Sequence, residues 1–161
     1  MTKPLPFRDK GEPTEPCPWP DEPVYIDSAS ASFAIKHGGA LTRSLIEHAR
    51  ERGYLDAEDG LEHQICVRCT WVDVGEHQHL RDDWHFDNAP MGWIYIDGHT
   101  PTQVKFATWG GRIEDVPLRT LFPYHEMEHR SPRAAEAGWR YFFRILHATR
   151  GSRNELVMHR D

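Results

Sequence analysis

Features that mark many secreted or membrane proteins are missing from this sequence. It has no apolar run approaching the ~20 residues that a membrane-spanning helix requires. Its first six residues lack the apolar stretch of a signal peptide. It has only three cysteines, an odd number that favours a reducing compartment over a disulfide framework. These absences predict a cytoplasmic protein with no membrane partner.

Positive charge is also in short supply. The chain has 25 acidic and 19 basic residues, which gives a net charge of -6 with neutral histidines. Phosphate backbones bind to basic surfaces, so nucleic acid is not an expected partner. The 161 residues suffice for one domain with a buried core. Eleven histidines are many for this length, and they raise the prospect of a metal site without locating it.

Proline is concentrated at the N-terminal end of the chain. Seven of the 12 prolines lie in residues 1–23. Because proline lacks an N–H and fixes φ, this stretch is excluded from helix interiors and central strands. We therefore expect residues 1–23 to form an extended arm and residues 24–161 to form a single domain.

Hydrophobic periodicity predicts one helix followed by several short strands. Apolar residues recur at helical spacing from Ala40 to Arg52, and Gly53 supplies a stop signal. Runs of strand-forming residues, several of them alternating between two faces and separated by turn residues, predict strands at 24–26, 63–74, 93–96, 103–108, 119–124 and 139–147. This order is typical of a mainly β fold, an antiparallel sandwich or barrel with a helix packed on one sheet.

The tripeptide His85-Phe86-Asp87 is a candidate metal-binding pair. In a strand, residues two apart share a face, so the imidazole and the carboxylate would point together while Phe86 turns away. A further histidine would complete two histidines and one carboxylate, an arrangement that suits Fe(II) and leaves coordination positions open. On its own, the tripeptide is equally consistent with a hydrogen-bonded surface pair.

A second motif lies in the C-terminal part of the chain. Arg140 and Arg144 follow His129 by eleven and fifteen residues, within a strand-like run rich in aromatic residues. This spacing resembles the distal half of the motif of Fe(II)/2-oxoglutarate-dependent oxygenases, in particular the taurine-dioxygenase-like and phytanoyl-type branch. The resemblance covers roughly residues 63–147 and rests on a few motif positions.

The resemblance implies a double-stranded β-helix, or jelly roll, and a dioxygenase that hydroxylates a small molecule or side chain. His85, Asp87 and His129 would bind Fe(II), and Arg140 would hold the distal carboxylate of 2-oxoglutarate. O2 would be consumed, and succinate and CO2 released. His125 is a rival for the third ligand, although the arginine spacing favours His129. The primary substrate and the oligomeric state are not readable.

The chemistry of arginine agrees with a carboxylate-binding role. A guanidinium is planar, permanently charged and able to grip a carboxylate with two parallel hydrogen bonds. Arg140 and Arg144 share a strand face with Phe142 and Leu146, which indicates an enclosed pocket rather than a solvated surface. Either arginine can serve as the anchor. Thr102 could add a hydroxyl to the pocket, although ordinary turn chemistry is the favoured explanation for Thr102.

A cupin-type metal enzyme is an alternative interpretation. His77 and His79 form a His-x-His pair, followed by the acidic residues Asp82 and Asp83. Cupins share the β-barrel architecture, so the fold alone does not separate the two classes. A cupin also expects a second motif rich in glycine and proline with a further histidine, and no good match to it is found.

Two further alternatives are weaker. Cys66 and Cys69 have a spacing seen in zinc and redox sites, but residues three apart in a strand face opposite sides, and Cys17 is isolated in the arm. A non-catalytic jelly-roll binding module could use some of the six tryptophans as stacking surfaces. Such a module would need neither a metal triad nor a carboxylate-binding arginine.

Overall fold

The structure, a computed structural model, contains two antiparallel sheets and two helices. It describes residues 7–56, 59–79, 83–87, 89–106, 110–125 and 127–160. The helices are α1 (Ala31–His37) and α2 (Ala40–Glu51). The strands are β1 (Tyr25–Ala29), β2 (Leu61–Val72), β3 (Met91–Gly98), β4 (Gln103–Lys105), β5 (Ile113–Asp115), β6 (Phe122–Pro123), β7 (Glu128–Arg130), β8 (Gly138–Thr149) and β9 (Leu156–Met158). Neither helix in these ranges is long and apolar enough to cross a membrane.

The larger sheet is organised around β8. Its six strands run in the order β6-β3-β8-β2-β1-β9, and β8 pairs with β2 along the 12 residues of both strands. The smaller sheet has the order β5-β4-β7. Neighbouring strands in both sheets are antiparallel. The mainly β prediction is therefore confirmed.

Both faces of β8 are buried, each against different partners. Tyr141 and Phe143 point to one face and join a core cluster with Ala34 of α1 and Ile46 of α2. On the opposite face, Phe142 and Leu146 join a second cluster that includes Val104 of β4, in the smaller sheet. Because successive side chains alternate between faces, Arg140 and Arg144 lie on the side of β8 that faces this second cluster.

The N-terminal segment is tied to the larger sheet by specific contacts. Among residues 7–23, Lys10 forms an isolated bridge with Val72 and Phe7 is 4% exposed. The indole N–H of Trp139 donates to the carbonyl of Glu15 at 2.8 Å. No helix or sheet strand is assigned between residues 7 and 23. The division into an arm (1–23) and a domain (24–161) stays a prediction.

Each predicted helix or strand overlaps an observed one. The helix expected at 40–52 is α2, and the strands expected at 24–26, 63–74, 93–96, 119–124 and 139–147 overlap β1, β2, β3, β6 and β8. The strand expected at 103–108 overlaps β4, but Ala107 and Thr108 lie outside the described residues. The sequence did not predict α1, β5, β7 or β9, whose three to seven residues show no clear helical or alternating pattern.

Glu22 stabilises the start of α2 from outside the helix. The residue before the helix is Gly39, which has no side chain to cap the first turn. The Glu22 carboxylate accepts hydrogen bonds from the Gly39 N–H at 2.9 Å, the Thr42 N–H at 3.0 Å and the Thr42 hydroxyl at 2.7 Å. Glu22 is 3% exposed. A buried carboxylate therefore links the end of the N-terminal segment to the helix.

We predict that Glu22→Gln lowers the free energy of unfolding by roughly 1.5–3 kcal/mol, because an amide cannot accept all three bonds and the buried donors lose a charged partner. Urea denaturation measures the loss. The exposed Glu47 lies on the same helix, and Glu47→Gln should change stability by no more than about 0.5 kcal/mol. Equal effects of the two substitutions would show that Glu22 does not hold the helix.

Candidate metal centre

A β-bridge brings together two histidines that are distant in the sequence. The His85 N–H donates to the His129 carbonyl at 3.1 Å, and the His129 N–H donates to the His85 carbonyl at 2.9 Å. Directly opposed residues of an antiparallel pair place their side chains on the same face. The two imidazole rings accordingly lie with their centroids 4.4 Å apart. His129 lies in β7, so the smaller sheet holds this part of the site.

The structure corrects the prediction of a continuous strand across His85 and Asp87. His85 forms only the isolated bridge, and Asp87 lies outside any strand. The expected side-chain arrangement nevertheless occurs. One ligand atom each from His85, Asp87 and His129 lies within 4.8 Å of the others. Phe86 is 59% exposed.

The rings of both histidines are oriented by backbone carbonyls. Nδ1 of His85 lies 2.9 Å from the Asp83 carbonyl, and Nδ1 of His129 lies 3.2 Å from the Met127 carbonyl. A carbonyl oxygen only accepts, so a proton on Nδ1 would donate to it, and Nε2 is the ring nitrogen left to face a metal. This pattern is typical of histidines that ligate metals through Nε2. Nε2 of His129 lies 3.4 Å from Oδ1 of Asp87.

The Asp87 carboxylate is held in its ionised form. Burial by itself would raise the pKa of Asp87, but the hydrogen bond to His129 and the charge of Arg144 hold that pKa well below its usual range. The Tyr124 hydroxyl donates to Oδ2 at 2.5 Å, and Nη1 of Arg144 lies 3.5 Å from the same oxygen. Burial raises the pKa of Tyr124 well above its ordinary value, so Tyr124 remains a donor.

A small pocket with a volume of about 20 Å³ adjoins the two histidines. Three arginines line it, two from β8 and one from β2. Their side chains share a face, because Cys66, Arg68 and Thr70 pair with Arg144, Phe142 and Arg140. The pocket is lined by Arg68, His79, His85, Thr102, His129, Ser131, Arg140, Phe142 and Arg144. Such a lining favours an anionic ligand.

Arg140 is fixed in this pocket by three hydrogen bonds. Its Nε donates to the Thr100 carbonyl at 2.6 Å, its Nη1 to the Gln78 amide oxygen at 2.5 Å and its Nη2 to the Thr102 hydroxyl at 2.7 Å. Burial, aided by the charge of Arg68, lowers the pKa of Arg140 to about 9. Arg140 therefore remains a cation at neutral pH. Thr102, for which turn chemistry was the favoured explanation, is 3% exposed and contacts Arg140 directly.

The rival third ligand, His125, lies elsewhere. Its Nδ1 accepts a hydrogen bond from the Gly92 N–H at 2.9 Å, and its ring meets the Trp93 ring edge-on with centroids 4.8 Å apart. Within the described ranges, the metal-compatible group contains His129 and not His125. The sequence spacing from the arginines was therefore the informative signal.

The cupin-like histidines have different surroundings. His79 lines the pocket and stacks on His85 with ring centroids 5.4 Å apart. By contrast, Nδ1 of His77 is buried and has no hydrogen-bond partner among the described residues. Of the acidic residues that would complete a cupin motif, Asp82 lies outside the described residues. In the part of the chain that the structure describes, His77 and His79 belong to no group of three potential ligands.

Sequence reasoning missed several residues of the site and misjudged one cysteine. Arg68 and Tyr124 were not predicted to belong to the site. The sequence carried one signal for Arg68: alternation along β2 places it on the same strand face as Cys66 and Thr70. Cys17 was expected to be isolated, but its sulfur lies 3.8 Å from that of Cys69. The N-terminal segment folds back beside β2, which its composition does not reveal.

Comparison of the chain with protein-family models, with curated proteins and with solved structures found no match. The interpretation of the site therefore depends on the chemistry and geometry of its own residues. Two imidazoles and a carboxylate that converge beside a cationic pocket define a candidate mononuclear metal centre with an adjacent anion site.

We predict that His129→Ala weakens Co(II) binding by on the order of 100-fold or more, since even loss of a bond that orients a ligand typically costs roughly 10- to 100-fold. Titration with Co(II), monitored by its visible absorption, gives the affinity. The matched variant His125→Ala should bind Co(II) like the wild-type protein. If His129→Ala keeps wild-type affinity, or if His125→Ala loses it, the ligand assignment is wrong.

Proposed function

We propose that this protein is an Fe(II)- and 2-oxoglutarate-dependent dioxygenase that hydroxylates a small molecule or side chain and releases succinate and CO2. The observation that carries the proposal is the position of the His85–Asp87–His129 group beside a pocket that contains buried arginines. His85 and His129 line this pocket, so a metal that they hold would face the arginines. The two antiparallel sheets, with the site residues drawn from both, support a jelly-roll fold for this enzyme.

The donor set fits a catalytic iron better than a structural zinc. Structural zinc sites close a tetrahedral shell with four protein ligands, often cysteines. Here the described residues supply two nitrogen ligands and one oxygen ligand. Three protein ligands on one face leave positions open for a co-substrate and O2, as in the two-histidine, one-carboxylate class of iron enzymes. His85, Asp87 and His129 would hold the iron.

Arg140 is the favoured anchor for the distal carboxylate of 2-oxoglutarate. A guanidinium has five N–H donors, and three of those of Arg140 are used by Thr100, Gln78 and Thr102. The remaining two lie on the terminal nitrogens. The Thr102 hydroxyl accepts from Arg140, so its own proton can be donated to a carboxylate. Fixed donors of this kind bind a carboxylate without first losing conformational freedom.

The chain's own residues orient the reaction that the cofactors supply. Iron, 2-oxoglutarate and O2 together supply oxidative decarboxylation and C–H oxidation. Arg144 and Tyr124 fix the Asp87 carboxylate, so one coordination position is permanently filled by the protein. An alanine or glycine at this position would leave room for a halide, whereas aspartate favours hydroxylation. Phe142 and the buried arginines shape the pocket beside the metal.

We predict that the wild-type protein forms succinate from 2-oxoglutarate in the presence of Fe(II) and O2 even without a primary substrate. His85→Ala and Asp87→Ala should each abolish this turnover, because two ligands do not complete the iron site. Succinate is quantified by mass spectrometry, and folding of each variant is checked by circular dichroism. Wild-type turnover in either variant would rule out the metal assignment.

We further predict that Arg140→Lys raises the 2-oxoglutarate concentration required for half-maximal turnover by roughly 10- to 100-fold, since lysine cannot make paired hydrogen bonds to a carboxylate. The matched control is Arg153→Lys, because Arg153 donates to the His63 carbonyl and does not line the pocket. That control should leave the requirement unchanged. A normal requirement in Arg140→Lys would transfer the anchoring role to Arg144.

A further inference from the structure

Arg68 lies in the pocket and forms no salt bridge with an acidic side chain of the described residues. It is 5% exposed, and its guanidinium carbon lies 4.0 Å from the centroid of the Phe7 ring and 4.7 Å from that of Phe142. Among the described residues, its Nε is buried without a hydrogen-bond partner, and the Asp87 carboxylate acts on it through charge alone, without a salt bridge. The two rings offer cation–π attraction to the guanidinium. This attraction is small beside the cost of desolvating a cation.

Arg68 and Arg140 occupy contrasting environments on the same sheet face. Each nitrogen of Arg140 donates to a protein oxygen, whereas no nitrogen of Arg68 does so among the described residues. Phe142 lies close to both guanidiniums, with its ring centroid 4.7 Å from one and 5.5 Å from the other. The pocket therefore has one cation held in place by the protein and another that lacks a partner.

Other unpartnered polar atoms belong to residues of the same pocket. Six buried side-chain nitrogen or oxygen atoms lack a hydrogen-bond partner in the described ranges, and three of these belong to pocket residues: Nε of Arg68, Nε of Arg144 and Oγ of Ser131. Buried polar groups without partners are rare in proteins. Two N–H donors and one hydroxyl are the groups that bind the oxygen atoms of an anion.

The charges show that one anionic co-substrate does not satisfy the pocket. Three arginines line it, and the carboxylate of Asp87 is already shared between Arg144 and the metal position. On the proposed function, 2-oxoglutarate places one carboxylate at the metal and the other on Arg140. Arg68 then still has no salt-bridge partner among the described residues, since Asp87 acts on it only from a distance.

We infer that Arg68, together with Ser131, forms a second anion-binding subsite that holds an acidic group of the primary substrate. The substrate is then a small molecule with a carboxylate, sulfonate or phosphate group. That the bound anion is a substrate rests on the proposed function. The anion subsite itself rests on Arg68 and its surroundings. Anchoring the acidic group at Arg68 fixes the distance of the remainder of the substrate from His85 and His129.

The test measures binding of simple anions to the protein loaded with Co(II) and 2-oxoglutarate. Sodium sulfate and sodium acetate are titrated at constant ionic strength, and binding is followed by thermal denaturation and calorimetry. In Arg68→Met, the apolar side chain keeps the packing between the two phenylalanines while the charge is removed. We expect anion binding at least tenfold weaker than in the wild-type protein, with binding of 2-oxoglutarate retained. Arg68→Lys should bind anions with intermediate affinity.

Each outcome separates the subsite from the proposed function. If the wild-type protein binds neither anion, or if Arg68→Met binds them equally well, the inference is overturned. Loss of 2-oxoglutarate binding in Arg68→Met would also overturn it, because Arg68 would then belong to the co-substrate site. If the wild-type protein fails to bind 2-oxoglutarate but binds sulfate through Arg68, the proposed function fails and the anion subsite stands.

Discussion

The Asp87 carboxylate connects the two sheets at the point where the candidate site forms. Oδ2 contacts Arg144 of β8 in the larger sheet, and Oδ1 contacts His129 of β7 in the smaller sheet. The Tyr124 hydroxyl donates to it from the segment after β6. A carboxylate with so little exposure is tolerated only when charged and hydrogen-bonded partners surround it. These partners position Asp87 beside the two imidazoles.

The buried arginines of β8 also shape the candidate site. A face that carries Arg140 and Arg144 would ordinarily be solvated, but here the smaller sheet and the second core cluster cover it. Arg140 is stabilised by three oxygen acceptors, and Arg144 by Asp87. Positive charge is therefore concentrated beside a group that can bind a cationic metal. An anionic ligand would interact favourably with both the arginines and the metal.

Long elements were predictable from the sequence because their periods repeat. The alternation in β2 and β8 extends over 12 residues each, and α2 has three helical turns. Phe142 and Leu146 correctly indicated that the arginine face of β8 is buried. The short strands β5, β7 and β9 gave no such pattern. Their positions are determined by pairing with distant partners, which a single sequence does not encode locally.

The candidate site was predictable as a set of residue types but not as a geometry. The spacing of the arginines favoured His129, which the structure brings beside His85 and Asp87. The bridge that joins the histidines is a long-range pairing, and the expected local strand did not form. Arg68 was missed because its place in the site depends on the residues opposite it in β8. Those residues are known only once the register of β2 against β8 is known.

We propose that one 2-oxoglutarate molecule binds both a metal held by His85, Asp87 and His129 and the neighbouring arginines. An anaerobic titration with Fe(II) and 2-oxoglutarate tests this proposal, since a keto acid that chelates Fe(II) gives a visible charge-transfer absorption. We expect the absorption to appear only when both components are present and to saturate at one equivalent of each. A flat spectrum with Fe(II) bound would contradict it.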